Sequence, residues 1–231
     1  MKLAIMQPYF LPYIGYFQLI KAVGIFVVYD NVQYEKQSWI NRNRYLLDGK
    51  DALFSLMLKK DSTYLNINDR YLSDVFDKNK LLNQLSNAYQ KAPYFENTMG
   101  LFKEVVNCEK INLAEYIHYS IISICTHLGI TTKIVRSSKI NVDHSLKSQN
   151  RVIAICQAYD TKTYINAIGG VNLYSKETFA DKGIELKFIK SKAIEYKQFG
   201  NEFVPWLSII DVLMFNSIEK VQLILQEYEL L

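Results

Sequence analysis

Apolar residues come in short continuous runs near the start of the chain, first Leu3-Ala4-Ile5-Met6 and then Ile25-Phe26-Val27-Val28-Tyr29. Runs of this length suit strands buried on both faces. Between them, a polar and ring-rich turn (7–13) leads to Gly15. A helical spacing follows, Phe17, Leu19, Ile20 and Val23, and stops at Gly24. Strand, loop, helix and strand in this order make the first half-wind of a parallel α/β sheet. Further strands are predicted at 45–47 and 52–58, around the turn Asp48-Gly49-Lys50, and then at 133–136, 163–166 and 184–189. Helical periodicity covers 76–89, 95–106, 113–128, 152–159 and 175–181, and begins again at Ser208. Segment 59–75 mixes alternation with turn residues and reads as an edge strand or a lid-like excursion. The expected architecture is one α/β domain over residues 1–231, a parallel Rossmann-like sheet with a mainly helical lobe around 76–128.

In such sheets ligands sit beyond the carboxyl ends of the strands, so 7–16 and 30–34 should share one crevice. Pro8 and Pro12 fix φ and keep the turn extended, which would hold the rings of Tyr9, Tyr13 and Tyr16 outward. Gln7 and Asp30 stand where strands end. Arg42 and Arg44 are two apart, so on a strand they face one way and can clamp a diphosphate or carboxylate. Asn41 lies beside them, and Lys36 adds a third cation. After the 133–136 strand, the hydroxyls of Ser137 and Ser138 can bond a phosphate or sugar. Lys147 and Arg151 flank a helix start, where anions are favoured. Gly169-Gly170 follows a strand and allows φ > 0 and close backbone approach. Asp30 and His144 are candidate general bases. Asp211 is either a plain helix-cap residue beside Ser208 or a ligand for an amine. Packing roles for the tyrosines and a solvated loop around the arginines are the competing readings.

A hydrophobic content of 49%, 22% charged residues and a net charge of +4 are those of an ordinary globular protein. That charge falls short of a nucleic-acid binder's. No run reaches the roughly 18 apolar residues of a membrane helix, and the N-terminus lacks a signal-peptide pattern. Three cysteines, Cys108, Cys125 and Cys156, without motif spacing point to reduced thiols and a cytoplasmic setting. His118 and His127 are nine apart, which is no helical metal pair, and no metal site is expected.

The string MQPYFLPYIGYFQLI resembles the WbqC-like protein family, as do the later segments DNVQY, WINRNR, YINAIGGVNLY and LSIIDVLMFNS. The resemblance runs from about residue 3 to the C-terminus. It implies a setting among bacterial surface-polysaccharide genes and transfer of an aminoacyl group, glycyl in one form, to an amino sugar. It also moves the balance for Arg42 and Arg44 toward ligand binding. A second resemblance concerns Tyr13-Ile14-Gly15-Tyr16, which occupies the place of the His-x-Gly-His motif of class I nucleotidylyltransferases. That implies a nucleotidylyltransferase-like sheet. Neutral phenols stabilise a transferred phosphate poorly, so the chemistry does not carry over.

Three functions follow. The first is an acyl or aminoacyl transferase acting on a nucleotide-linked amino sugar. Its donor would be an activated amino acid or a carrier-protein thioester, which makes an acyl carrier protein a partner. The second is a nucleotidyl transferase without histidines. The third is a non-catalytic partner of a polysaccharide enzyme.

Overall fold

The computed structural model describes residues 1–200 and 202–231. Strand β1 (Lys2–Met6) runs into helix α1 (Ile14–Lys21) and returns as β2 (Ile25–Val28), parallel to β1 with Ala4 opposite Phe26. A separate hairpin follows, β3 (Arg42–Leu47) and β4 (Lys50–Ser55). Asp48 and Gly49 at its tip both have positive φ, 50° and 76°. That pairing matches the twist of two antiparallel strands, which is why Asp-Gly suits the position. Three helices come next, α2 (Lys78–Tyr89), α3 (Phe95–Asn107) and α4 (Leu113–His127). The chain then re-enters the main sheet as β5 (Lys133–Arg136), α5 (Ser148–Ala158), β6 (Thr163–Ala167), α6 (Lys176–Ala180) and β7 (Glu185–Ser191). Helices α7 (Ile209–Phe215) and α8 (Ile218–Ile224) precede a short β8 (Tyr228–Leu230).

Among the described residues the main sheet has six strands in the order β5-β2-β1-β6-β7-β8, all parallel except β8. The fold is Rossmann-like α/β. Strand β1 is central, and successive windings leave it in opposite directions, so the topological switch point lies between β1 and β6. Side chains alternate between the two faces with period two. Ala4, Phe26, Val28 and Ile165 join a large apolar cluster with α1 to α4, α7 and α8, while Leu3, Ile5, Val27 and Tyr164 face α5 and α6. No helix among the described residues is long and apolar enough to cross a membrane.

The turn after β1 is not uniformly extended. Leu11 has φ of 47°, a left-handed conformation that is costly for a branched residue. Phe10 and Leu11 are buried, so the carbonyls of this turn need partners inside the protein. Asn43 on β3 donates its amide to Phe10 O (3.3 Å) and Leu11 O (2.9 Å). From the far end of the chain, Ser208 Oγ donates to Leu11 O (2.7 Å) and the Ile209 amide to Pro12 O (2.9 Å). Gln18, an amide in an otherwise apolar stretch of α1, is similarly committed. Its Nε2 reaches Ile224 O and Glu227 O at 2.9 and 3.0 Å, and its Oε1 accepts from Ser191 at 2.6 Å.

Two expectations change, and one element was not foreseen. Segment 59–75 forms no strand; it makes isolated bridges, Leu58 with Leu72 and Tyr71 with Asn112, and one 3-10 turn at Ile67–Asp69. Buried Arg70 organises it, donating to Ser62 O and Lys59 O and lying 4.9 Å from the Tyr34 ring. The C-terminal helix divides, because Asn216 leaves helical geometry with ψ of 144° and Ser217 caps α8. Strand β8 is too short and polar to stand out in the sequence.

Asn43→Ala strands the buried Phe10 carbonyl, leaves Leu11 O to Ser208 alone, and removes the acceptor of the Arg44 amide (2.9 Å). We expect a loss of about 2–4 kcal/mol in urea denaturation. A loss within 0.5 kcal/mol, roughly the effect of an ordinary surface change, would show that the turn holds itself.

Candidate functional site

A cavity of about 670 Å³ opens at the switch point, between the carboxyl ends of β1 and β6. Its lining includes Gln7, Tyr9, Tyr13, Gly15, Tyr16, Arg44, Gly169 and Gly170, all singled out above except Gly15 as a wall residue. It also includes Tyr29, Trp39, Asn43, Asn166, Leu173, Tyr174 and Trp206, none singled out above as a ligand group. Rings with a few convergent polar groups are the usual composition of a small-molecule site. A second cavity, about 620 Å³, lies beside α4 and β5; it is more polar and more open. Its Glu115 already pairs with Arg136 (3.3 Å) and Lys110 (3.9 Å), so the switch-point cavity is the better candidate.

The Tyr-x-Gly-Tyr motif builds one wall, with Tyr13 reaching Trp206 and Tyr16 packed beneath Gln7. Gly15 leaves room for the Tyr13 ring, which folds down onto it; a Cβ there would push that ring aside. Tyr16 is buried and donates its hydroxyl to Gln7 O at 3.0 Å, holding the turn against α1. Burial pushes the Tyr16 phenol well above its ordinary value, so it stays neutral. Tyr9 packs on Tyr16 at 5.8 Å and points its hydroxyl toward Gln7 Oε1.

The outer wall comes from the hairpin and the C-terminal segment. Trp39 lies between Arg42 and Arg44, 5.6 and 5.4 Å from the guanidinium carbons. The two arginines share a side of β3 as their spacing requires, yet they do not act as a clamp. Arg42 turns away to donate to Ser38 O and Gln37 O and does not line the cavity. Arg44 remains in the wall, bonded to Trp206 O (3.3 Å) and paired with Asp51 (3.4 Å). Trp206 has φ of 62° and is 60% exposed, with its ring 5.5 Å from Tyr13. Asn41 is structural, accepting from Tyr34 and donating to Leu56 O, both at 2.8 Å. Lys36 is exposed outside the cavity lining.

Beyond β6, Gly169 and Gly170 do not adopt positive φ. Gly170 instead allows close approach, since a Cβ would overlap the Asn166 amide nitrogen.

Asp30, Ser137, Ser138, His144 and Arg151 form another cluster, across the ends of β2 and β5. Asp30 is fully buried and both carboxylate oxygens are engaged: Oδ1 with Ser137 Oγ (2.9 Å) and the Ser138 amide (2.9 Å), Oδ2 with Ser138 Oγ (2.7 Å). That geometry makes Asp30 an anchor between strands, and it takes the two serine hydroxyls with it. His144 is exposed, 3.0 Å from Asn31 Nδ2. Arg151 donates to Asn31 O (3.2 Å) and packs on the Tyr29 ring at 5.5 Å, which backs the cavity from behind. Lys147, at the α5 cap position, is exposed.

Asp211 faces away from the cavity lining. Buried in α7, it accepts from Tyr89 (2.8 Å), Tyr196 (2.6 Å) and Gln198 (2.8 Å), while Ser208 caps the helix through the Ile210 amide. Burial raises its carboxyl above the usual range despite those donors. Cys125 and Cys156 are buried thiols pushed up to about 12 by desolvation, which suits helix-core positions.

Comparison with known proteins adds a relationship. The WbqC-like protein family model matches residues 7–223. The uncharacterized protein Rv1507c of Mycobacterium tuberculosis is 26% identical over 220 residues, covering 93% of each chain. No solved structure matches significantly.

The raised Asp211 carboxyl has a pH signature. The folded chain holds that proton more tightly than the unfolded chain, so this group's contribution is greatest at acid pH. It falls as pH rises from the ordinary carboxylate value through the raised one. Urea midpoints measured from pH 3.5 to 7 should show wild type losing ground to Asp211→Asn as pH increases. A difference independent of pH would contradict the buried assignment.

Proposed function

The chain belongs to the WbqC-like protein family, and from that premise we propose that its switch-point cavity binds a nucleotide-linked amino sugar of bacterial surface-polysaccharide synthesis and directs an acyl or aminoacyl group onto the sugar nitrogen. The observation that carries this reading is the make-up of the cavity: aromatic faces, neutral amides and phenols, and one guanidinium, Arg44. Rings stack on bases and sugar faces, amides bond hydroxyls and amines, and a guanidinium matches a phosphate.

The transfer itself asks little of the protein when the donor is a thioester, as on a carrier protein. The sugar amine attacks the carbonyl carbon, the C–S bond breaks, and the departing thiolate takes the proton lost by nitrogen. Holding an unprotonated amine at the carbonyl supplies much of the acceleration. One observation favours a second reading, binding without turnover: the carboxylates of Asp30 and Asp211 are both locked in buried hydrogen bonds. Nucleotidyl transfer is less favoured, because Tyr16 commits its hydroxyl to Gln7 O.

Thermal shift against UDP- and dTDP-linked 4-amino-4,6-dideoxyhexoses, with ATP and free amino acids as comparators, tests binding. A ligand at 100 times its Kd adds about 2.7 kcal/mol, which is readily seen. We expect stabilisation by an amino-sugar nucleotide, and incubation with aminoacyl or acyl thioesters should then add the acyl mass to the sugar. Binding without a mass shift selects the second reading. Stabilisation by ATP alone would overturn both.

A further inference from the structure

The cavity is chemically divided along its length. At the outer end, Trp39, Arg44, Tyr13 and Trp206 form one connected group, through the Arg44–Trp39 stack, the Arg44–Trp206 carbonyl bond and the Tyr13–Trp206 ring contact. It offers planar apolar faces and the cation. At the inner end, where β1 and β6 finish side by side, the amides of Gln7 and Asn166 are joined by neutral phenols such as Tyr9.

Asn166 is built as a donor. It is 6% exposed, and its Oδ1 accepts from the Ala167 amide at 2.9 Å. A backbone N–H needs an acceptor, so this bond fixes which way the side-chain amide faces. The Nδ2 group then lies over Gly170, where the lack of a Cβ makes room for it. Among the described residues it meets no acceptor in the protein. The residue is buried but its amide group opens into the cavity, where a ligand oxygen can accept from it.

We propose, resting on the reading above, that the nucleotide-linked sugar binds in one direction. The base and diphosphate take the Trp39–Arg44–Trp206 end, and the sugar ring takes the β1/β6 end, with Asn166 Nδ2 donating to a sugar oxygen. Asn166 is thus a specificity-determining residue for the sugar, and Arg44 serves the nucleotide. A neutral donor suits a hydroxyl or ring oxygen, whereas a diphosphate seeks the guanidinium. The reacting sugar nitrogen accordingly lies toward Gln7 and Asn166.

Calorimetric titration of wild type, Asn166→Ala, Gly170→Ala and Arg44→Ala with UDP or dTDP, and with the same nucleotide carrying the amino sugar, tests the direction. Asn166→Ala should weaken the sugar conjugate about tenfold and leave the bare diphosphate within about twofold. Gly170→Ala, which displaces the Asn166 amide without removing it, should do the same and answers the question if the first variant folds poorly. Arg44→Ala should weaken both ligands about tenfold or more. Equal weakening of both ligands by Asn166→Ala and Gly170→Ala, or a diphosphate indifferent to Arg44, would overturn the direction while leaving binding intact. If wild type binds neither ligand, the underlying assignment fails and the direction with it.

Discussion

The structure depends on giving hydrogen-bond donors to three carbonyls in one buried turn. Phe10, Leu11 and Pro12 carry the chain from the central strand into the first helix, through a left-handed residue that would not hold unaided. Their partners come from the hairpin, as Asn43, and from the start of α7, as Ser208 and Ile209. Those bonds fix where Tyr13 and Gly15 stand, and they bring Arg44 and Trp206 next to them. Part of the cavity wall, Arg44 and Trp206, is therefore set beside the residues that secure the turn, while β6 and the segment after it supply the opposite side.

Carboxylates in this protein serve the same end. Asp30 joins the tips of β2 and β5 through two serines, and Asp211 gathers Tyr89, Tyr196 and Gln198 around α7. Each is a buried acid whose lone pairs are met by hydroxyls and amides. The first knot holds two strand ends together and the second ties α7 to its neighbours, and both leave the cavity lined with groups that carry no negative charge.

Much of the sheet was legible in the chain because its strands are continuous apolar runs separated by helical periodicity. The strand-loop-helix-strand opening, the helices after residue 76 and the Asp-Gly hairpin tip all follow local rules. Part of the crevice lining followed as well, since strand ends locate it. The rest depends on tertiary contacts that no window reveals. Arg42 and Arg44 have the same local signature, yet one is captured by the 37–38 carbonyls and the other remains in the wall. Asp30 reads as a candidate base and Asp211 as a cap residue or an amine ligand, because their actual donors arrive from 107 and from 13 to 122 residues away. Trp206 sits in a segment without periodicity. Asn166 had one available signal, a polar residue at a strand's end before two glycines, but only the second glycine's missing side chain explains it.

The pairing of distant segments also sets an order of events as the chain is made. Strand β1 needs β6 beside it, α1 needs the carbonyls of Ile224 and Glu227, and Leu11 needs Ser208. Contacts of such large sequence separation slow folding, because chain closure must precede any gain from them. During synthesis β1 can pair with β2 early, but the Leu11 carbonyl waits for Ser208, and Gln18 for Ile224 and Glu227. Over that interval part of the apolar opening is exposed surface of the kind that makes incompletely folded chains prone to aggregate.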